Sequence, residues 1–108
     1  MDDATIVVVM TTLPAASDAD EFGRVLVEER LAACVTIVNE ARAIYRWQGE
    51  VCDDQERQLL IKTSRGRVAD LETRVRALHP YDVPEFLVLP VAQGSTAYLT
   101  WVRESTAQ

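Results

Sequence analysis

The chain has 108 residues, 48% of them hydrophobic and 26% charged, with only 4 Gly and 4 Pro, a composition that excludes a disordered or low-complexity chain and leaves room for one core. Its formal net charge of -6 and pI near 4.7 repel a phosphate backbone, and Arg65-Gly66-Arg67 is the only basic cluster, so nucleic acid is not an expected partner. The apolar run Ile6 to Met10 is too short for a signal core or a membrane span, and Met1-Asp2-Asp3 carries no basic flank, which together predict a cytoplasmic protein without membrane contact.

Residues Thr5 to Thr11 form a β-branched run, the pattern of a strand buried on both faces. Asp18 followed by Glu21 makes a capping-box start for a helix that places Phe22, Val25 and Leu26 on one face and runs to about Arg30. Gly23 inside it costs roughly 1 kcal/mol relative to alanine, so it either marks close packing or has no role. From Cys34 the period becomes that of a strand. Two arms, Val35 to Trp47 and Val51 to Thr63, flank Gln48-Gly49 and predict a β-hairpin.

Val68, Leu71, Val75 and Leu78 repeat at helical spacing, with Asp70/Arg74 and Glu72/Arg76 as i,i+4 pairs, and Pro80 ends that helix. Glu85 to Val91 reads as a last strand, which Pro90 confines to a sheet edge. Ser95 or Thr96 caps a third helix whose stripe is Ala97, Tyr98, Trp101 and Val102. The order βαββαβ plus a helix predicts a single α+β domain over residues 1–108, a ferredoxin-like sandwich with an extended β2-β3 hairpin.

Each hairpin arm spans about 40 Å at strand rise, whereas a domain of this size is about 30 Å across. The excess carries Tyr45 and Trp47 past the chain's own sheet, and an isolated ribbon is marginal in water, so the protein is expected to be a homo-oligomer. The register places Cys52 opposite about Tyr45 and leaves Cys34 on the order of 35 Å away. The two cysteines are therefore expected to be unbridged.

The segments 26–38, 43–51, 61–63, 79–85 and 89–102 carry the strings E-E-R-L-A-A-C, Y-R-W-Q-G, H-P-Y-D-V-P-E and Y-L-T-W in that order. In this combination the chain closely resembles the CutA family of divalent-cation tolerance proteins. The resemblance implies a trimer assembled through the long hairpin, similar in architecture to PII-type signalling proteins, and an association with tolerance to copper and other divalent cations. Thr36 stands where many relatives have Asn, and Asp82 where many have Glu.

The resemblance singles out Cys34 as a copper ligand, and a thiolate suits a soft or borderline metal, although a small buried residue fits the same position. His79, the only histidine, ends the second helix, where the helix dipole favours a protonated ring and so opposes ligation. The metal reading groups Cys34, His79 and Asp82 around Cu(II) or another divalent cation. Tyr45, Trp47, Tyr81 and Trp101 either pack between subunits or wall a cleft with Glu85, with Lys62 and Arg46 supplying positive charge for a small anion. The acids of Glu50 to Glu56 read as a solvated hairpin tip.

Two functions follow: a trimeric metal-homeostasis protein, or a PII-like regulatory module that binds an anionic metabolite at subunit interfaces. No paired carboxylate, activated nucleophile or phosphate loop is present in the sequence, and catalysis is not expected.

Overall fold

The computed structural model describes residues 2–108. Four strands, β1 (Ile6–Pro14), β2 (Cys34–Trp47), β3 (Glu50–Ser64) and β4 (Leu87–Pro90), form one antiparallel sheet in the order β2-β3-β1-β4. Helices α1 (Ala19–Glu28), α2 (Val68–Leu78) and α3 (Thr96–Ser105) complete the expected α+β sequence. The hairpin arms make the molecule 43 Å long against 26 and 23 Å in the other directions, so the ribbon does run past the body of the domain.

The core lies on one side of the sheet. Val7, Val9 and Leu13 of β1 and Leu59 and Ile61 of β3 pack there with Phe22 and Leu26 of α1 and Leu71 and Val75 of α2. Gly23 marks close packing: a Cβ added to it would sit 3.3 Å from a methyl of Val35, so α1 rides directly on β2. Asp18 caps α1, its carboxylate accepting from the Glu21 backbone N–H at 3.0 Å. The helix stops short of Arg30, whose φ of 60° breaks the helical path.

The expectation that β1 is buried on both faces needs correction. Val8, Met10 and Thr12 alternate with the core residues and are only half-buried. In register with them across the sheet stand Leu60 and Lys62 of β3, Thr36 and Cys34 of β2, and Leu87 and Leu89 of β4. α3 covers one end of this second face, where Val102 packs with Ile6 and Ala33 and Thr106 bonds Ser64 at 2.7 Å. The connection after α2 borders the far end, where Glu85 lies 3.4 Å from Gln58, and Leu87 and Leu89 stay exposed on edge strand β4.

Three further expectations change in detail. Arg74 forms no pair with Asp70; it crosses to Glu29 with two hydrogen bonds of 2.9 Å, because a carboxylate that meets the guanidinium fork bidentately is the better partner. Asp70 pairs with Arg67 instead, at 3.3 Å. The last strand is shorter than Glu85 to Val91, pairing with β1 only from Val7 to Met10, and Pro90 does sit on an edge strand. The stripe foreseen on α3 also splits: Val102 is buried with Leu99 against it, while Tyr98 and Trp101 are exposed, their rings 5.5 Å apart.

Candidate functional site: an acidic, aromatic-walled cleft

The hairpin turn fixes the site's register. Gln48 and Gly49 both have positive φ, 49° and 83°, the conformation of a two-residue turn whose twist matches the flanking strands. Tyr45 then pairs with Cys52, Trp47 with Glu50 and Ala43 with Asp54, while Cys34 pairs far away with Lys62. Both thiols are free, and they stand at opposite ends of the hairpin.

Alternation along this ribbon puts Ala43, Tyr45 and Trp47 on the same face as Asp54 and Glu56. The connection from α2 to β4, Pro80 to Glu85, lies against that face and closes a cleft of about 670 Å³. Tyr45, Trp47 and Tyr81 wall it, and Asp54, Glu56, Asp82 and Glu85 supply its charge. No lysine or arginine lines it. Gln58 steadies the back of the cleft: its amide donates to the Thr11 carbonyl at 2.9 Å and lies 3.4 Å from the Glu85 carboxylate.

The acids disturb the tyrosines. Tyr45 donates its hydroxyl proton to Asp54, and that hydrogen bond, with some desolvation and the Asp54 charge, pushes its pKa from 10.0 up to about 12. Burial, and then the charges of Glu56 and Asp54, raise Tyr81 as well. The unfolded Tyr45 loses its proton first, so the native state binds more protons and its advantage is present below pH 10 and is lost as pH rises towards about 12. Asp54→Asn is expected to bring the Tyr45 transition back towards 10.0 in an ultraviolet pH titration; an unchanged titration would mean that the hydrogen bond does not set the shift.

Glu56 was not expected here. Far from a solvated tip, it pairs with Pro14 and Ala41 at the root of the ribbon and is only 8% exposed. The hairpin register carries the missing signal, since residues facing Tyr45 and Trp47 must include positions 54 and 56.

The predicted metal residues stay apart. Cys34 Sγ lies 3.8 Å from both the Lys62 ammonium and the Thr36 hydroxyl, with Lys62 donating to Thr36 at 2.7 Å. The His79 ring spends both nitrogens inside the protein: Nδ1 accepts from the Tyr81 backbone N–H at 3.1 Å, and Nε2 lies 2.5 Å from the Thr12 carbonyl. This pattern assigns the Nε2–H tautomer and leaves no lone pair for a metal. Asp82 lines the cleft. Among the described residues, no three His, Cys, Asp or Glu side chains are grouped to hold an ion, so the trio forms no metal site within one chain.

The anion reading loses its cations in the same way. Lys62 is held beside Cys34 on the open sheet face, and Arg46 pairs with Val51 on the ribbon face turned away from Tyr45. Trp101 is also outside the cleft, stacked near Tyr98.

The family model described as CutA1 divalent ion tolerance protein matches residues 7–105. The chain belongs to the CutA1 family. The divalent-cation tolerance protein CutA of Thermus thermophilus is 54% identical over 92% of this chain and 96% of its own length. A solved CutA1 structure from Thermus thermophilus superposes with a TM-score of 0.90 at 52% identity, covering 94% of this chain and 99% of the other. The CutA structure from Xylella fastidiosa gives 0.90 at 44% identity over 97% and 99%. The α+β fold and the family read from the sequence are thus both established, and among the described residues no helix is long and apolar enough to cross a membrane.

Proposed function

We propose that this CutA1 chain works as a homotrimer that binds divalent cations, Cu(II) among them, in metal-ion homeostasis or response, and that it acts by binding rather than by turnover. The observation that carries the reading is the sign of the cleft: four carboxylates and no cationic side chain. Asp82 is the member of the expected metal trio that keeps this company. Because no three ligands converge among the described residues, the ion keeps much of its water and meets one or two carboxylates, as a hard or borderline cation can. Such binding is weak and exchangeable, which suits a response to metal load.

An open sheet face and an overhanging ribbon support the trimer. The two separate thiols are consistent with a reducing, cytoplasmic setting.

Calorimetric titration with Cu(II) tests the site. Loss of one carboxylate contact is worth about 1 kcal/mol, so Asp82→Asn is expected to weaken binding about fivefold. Cys34→Ser should leave it unchanged. Equal affinities for Asp82→Asn and the parent, with a large loss in Cys34→Ser, would move the ion to the thiol and overturn the cleft assignment.

A further inference from the structure

We infer that Cys34 and Lys62 form a peroxide-responsive covalent switch, in which the oxidised thiol closes on the lysine amine as a sulfenamide. The inference is independent of the acidic cleft and of any ion bound there. Of the 11 basic residues all but Lys62 are arginine, so the one side-chain amine of the chain is the one that stands beside a thiol. The β2-β3 register enforces the meeting. Cys34 and Lys62 are direct cross-strand partners, which places both side chains on one face of the sheet, and Sγ lies 3.8 Å from Nζ. Thr36 completes a triangle, its hydroxyl accepting from Nζ at 2.7 Å and lying 3.8 Å from Sγ. Among the described residues Lys62 forms no ion pair with a carboxylate, so no acid draws the amine away from the sulfur.

Cys52 shows what the pair adds. Both thiols are free and half-buried, but Cys52 faces Tyr45 at the other end of the hairpin, out of reach of any amine. Arginine could not replace Lys62, because its delocalised guanidinium stays protonated, whereas a lysine ammonium can release a proton and attack. The steps balance. Hydrogen peroxide takes two electrons from the Cys34 sulfur, giving the sulfenic acid and one water. Lys62 gives one proton to solvent, its lone pair attacks Sγ, and the S–OH bond breaks. The hydroxide leaves with a second Nζ proton as another water, and an S–N bond remains. Two equivalents of a thiol reductant return the thiol and the amine and become a disulfide. Lys62 pairs with Val8, and Val8 with Leu89, so the bridge ties β2 to β3 and removes a positive charge from the row that ends on exposed Leu89.

The test treats the intact protein with hydrogen peroxide, blocks remaining thiols by alkylation, and maps non-reduced tryptic peptides by mass spectrometry. Residues 31–42 are expected joined to residues 58–65, two hydrogens lighter than the two peptides together, with cleavage after Lys62 blocked and restored by dithiothreitol. Lys62→Arg keeps the charge and is expected to abolish the joined species, leaving a Cys34 sulfenic acid that dimedone traps. Cys34→Ser is expected to abolish both products, and Cys52→Ser to keep the yield of the joined species within about twofold. Cys34 left unoxidised, or carried to a sulfinic acid or a disulfide between copies while trypsin still cuts after Lys62, would overturn the proposal.

Discussion

Replacing His79 with alanine is expected to destabilise the fold by about 3 kcal/mol, the sum of a vacated buried site and a stranded backbone group, while leaving Cu(II) affinity unchanged. The ring sits between three elements. It packs edge-on against Phe22 of α1, with centroids 6.4 Å apart, binds the Thr12 carbonyl of β1, and accepts the Tyr81 amide that starts the cleft-forming connection. Its own backbone N–H closes α2 on Val75 at 2.9 Å. Alanine keeps that last bond and loses the others, so Thr12 is left without its donor.

His79→Gln separates the causes. Its amide has a donor for Thr12 and an acceptor for Tyr81, and it is expected to recover about 1 kcal/mol of the loss. Urea unfolding of the two variants, paired with copper titration, makes the check. An alanine variant of unchanged stability but tenfold weaker copper binding would restore His79 as a ligand.

What the sequence made legible follows from local rules. The turn at Gln48-Gly49 fixed the ribbon register, and from it the pairing of Tyr45 with Cys52 and the separation of the two thiols. The capping of α1 by Asp18 is likewise a matter of neighbours in the chain. Composition around Glu50 to Glu56 pointed the wrong way because it describes charge density, not direction. Two of those acids, Asp54 and Glu56, share a face with Tyr45 and Trp47, and whether that face meets solvent depends on the connection after α2.

His79 was ambiguous for a related reason. A histidine at a helix end has several uses, and the choice among them was made by a carbonyl 67 positions away in β1. Lys62 was legible as the end of an apolar strand but not as the partner of Thr36, which a cross-strand diagonal provides. The β-branched run of β1 announced a central strand correctly. It could not report that one chain covers only part of its second side.

The exposed part of that side carries the sharpest expectation about assembly. Leu89 lies on edge strand β4 opposite Val8, and it is 43% exposed in the single chain. Leu87 is exposed beside it, and half-buried Val8, Met10 and Leu60 continue the apolar surface across the sheet. For an isolated subunit, Leu89→Asp is a surface change worth within about 0.5 kcal/mol. In a trimer built on this face it removes about 1.5 kcal/mol or more of apolar burial per copy and leaves a desolvated carboxylate, at a cost of several kcal/mol. Summed over three symmetric copies, the penalty exceeds what a micromolar assembly can absorb. Sedimentation equilibrium at micromolar concentration is therefore expected to find three times the 12.1 kDa subunit mass for the parent and the single mass for the variant, with an unchanged far-ultraviolet circular dichroism spectrum. A variant that still sediments as a trimer would place the contact on the overhanging ribbon instead, where Ile44 and Val51 are exposed on the face away from the cleft.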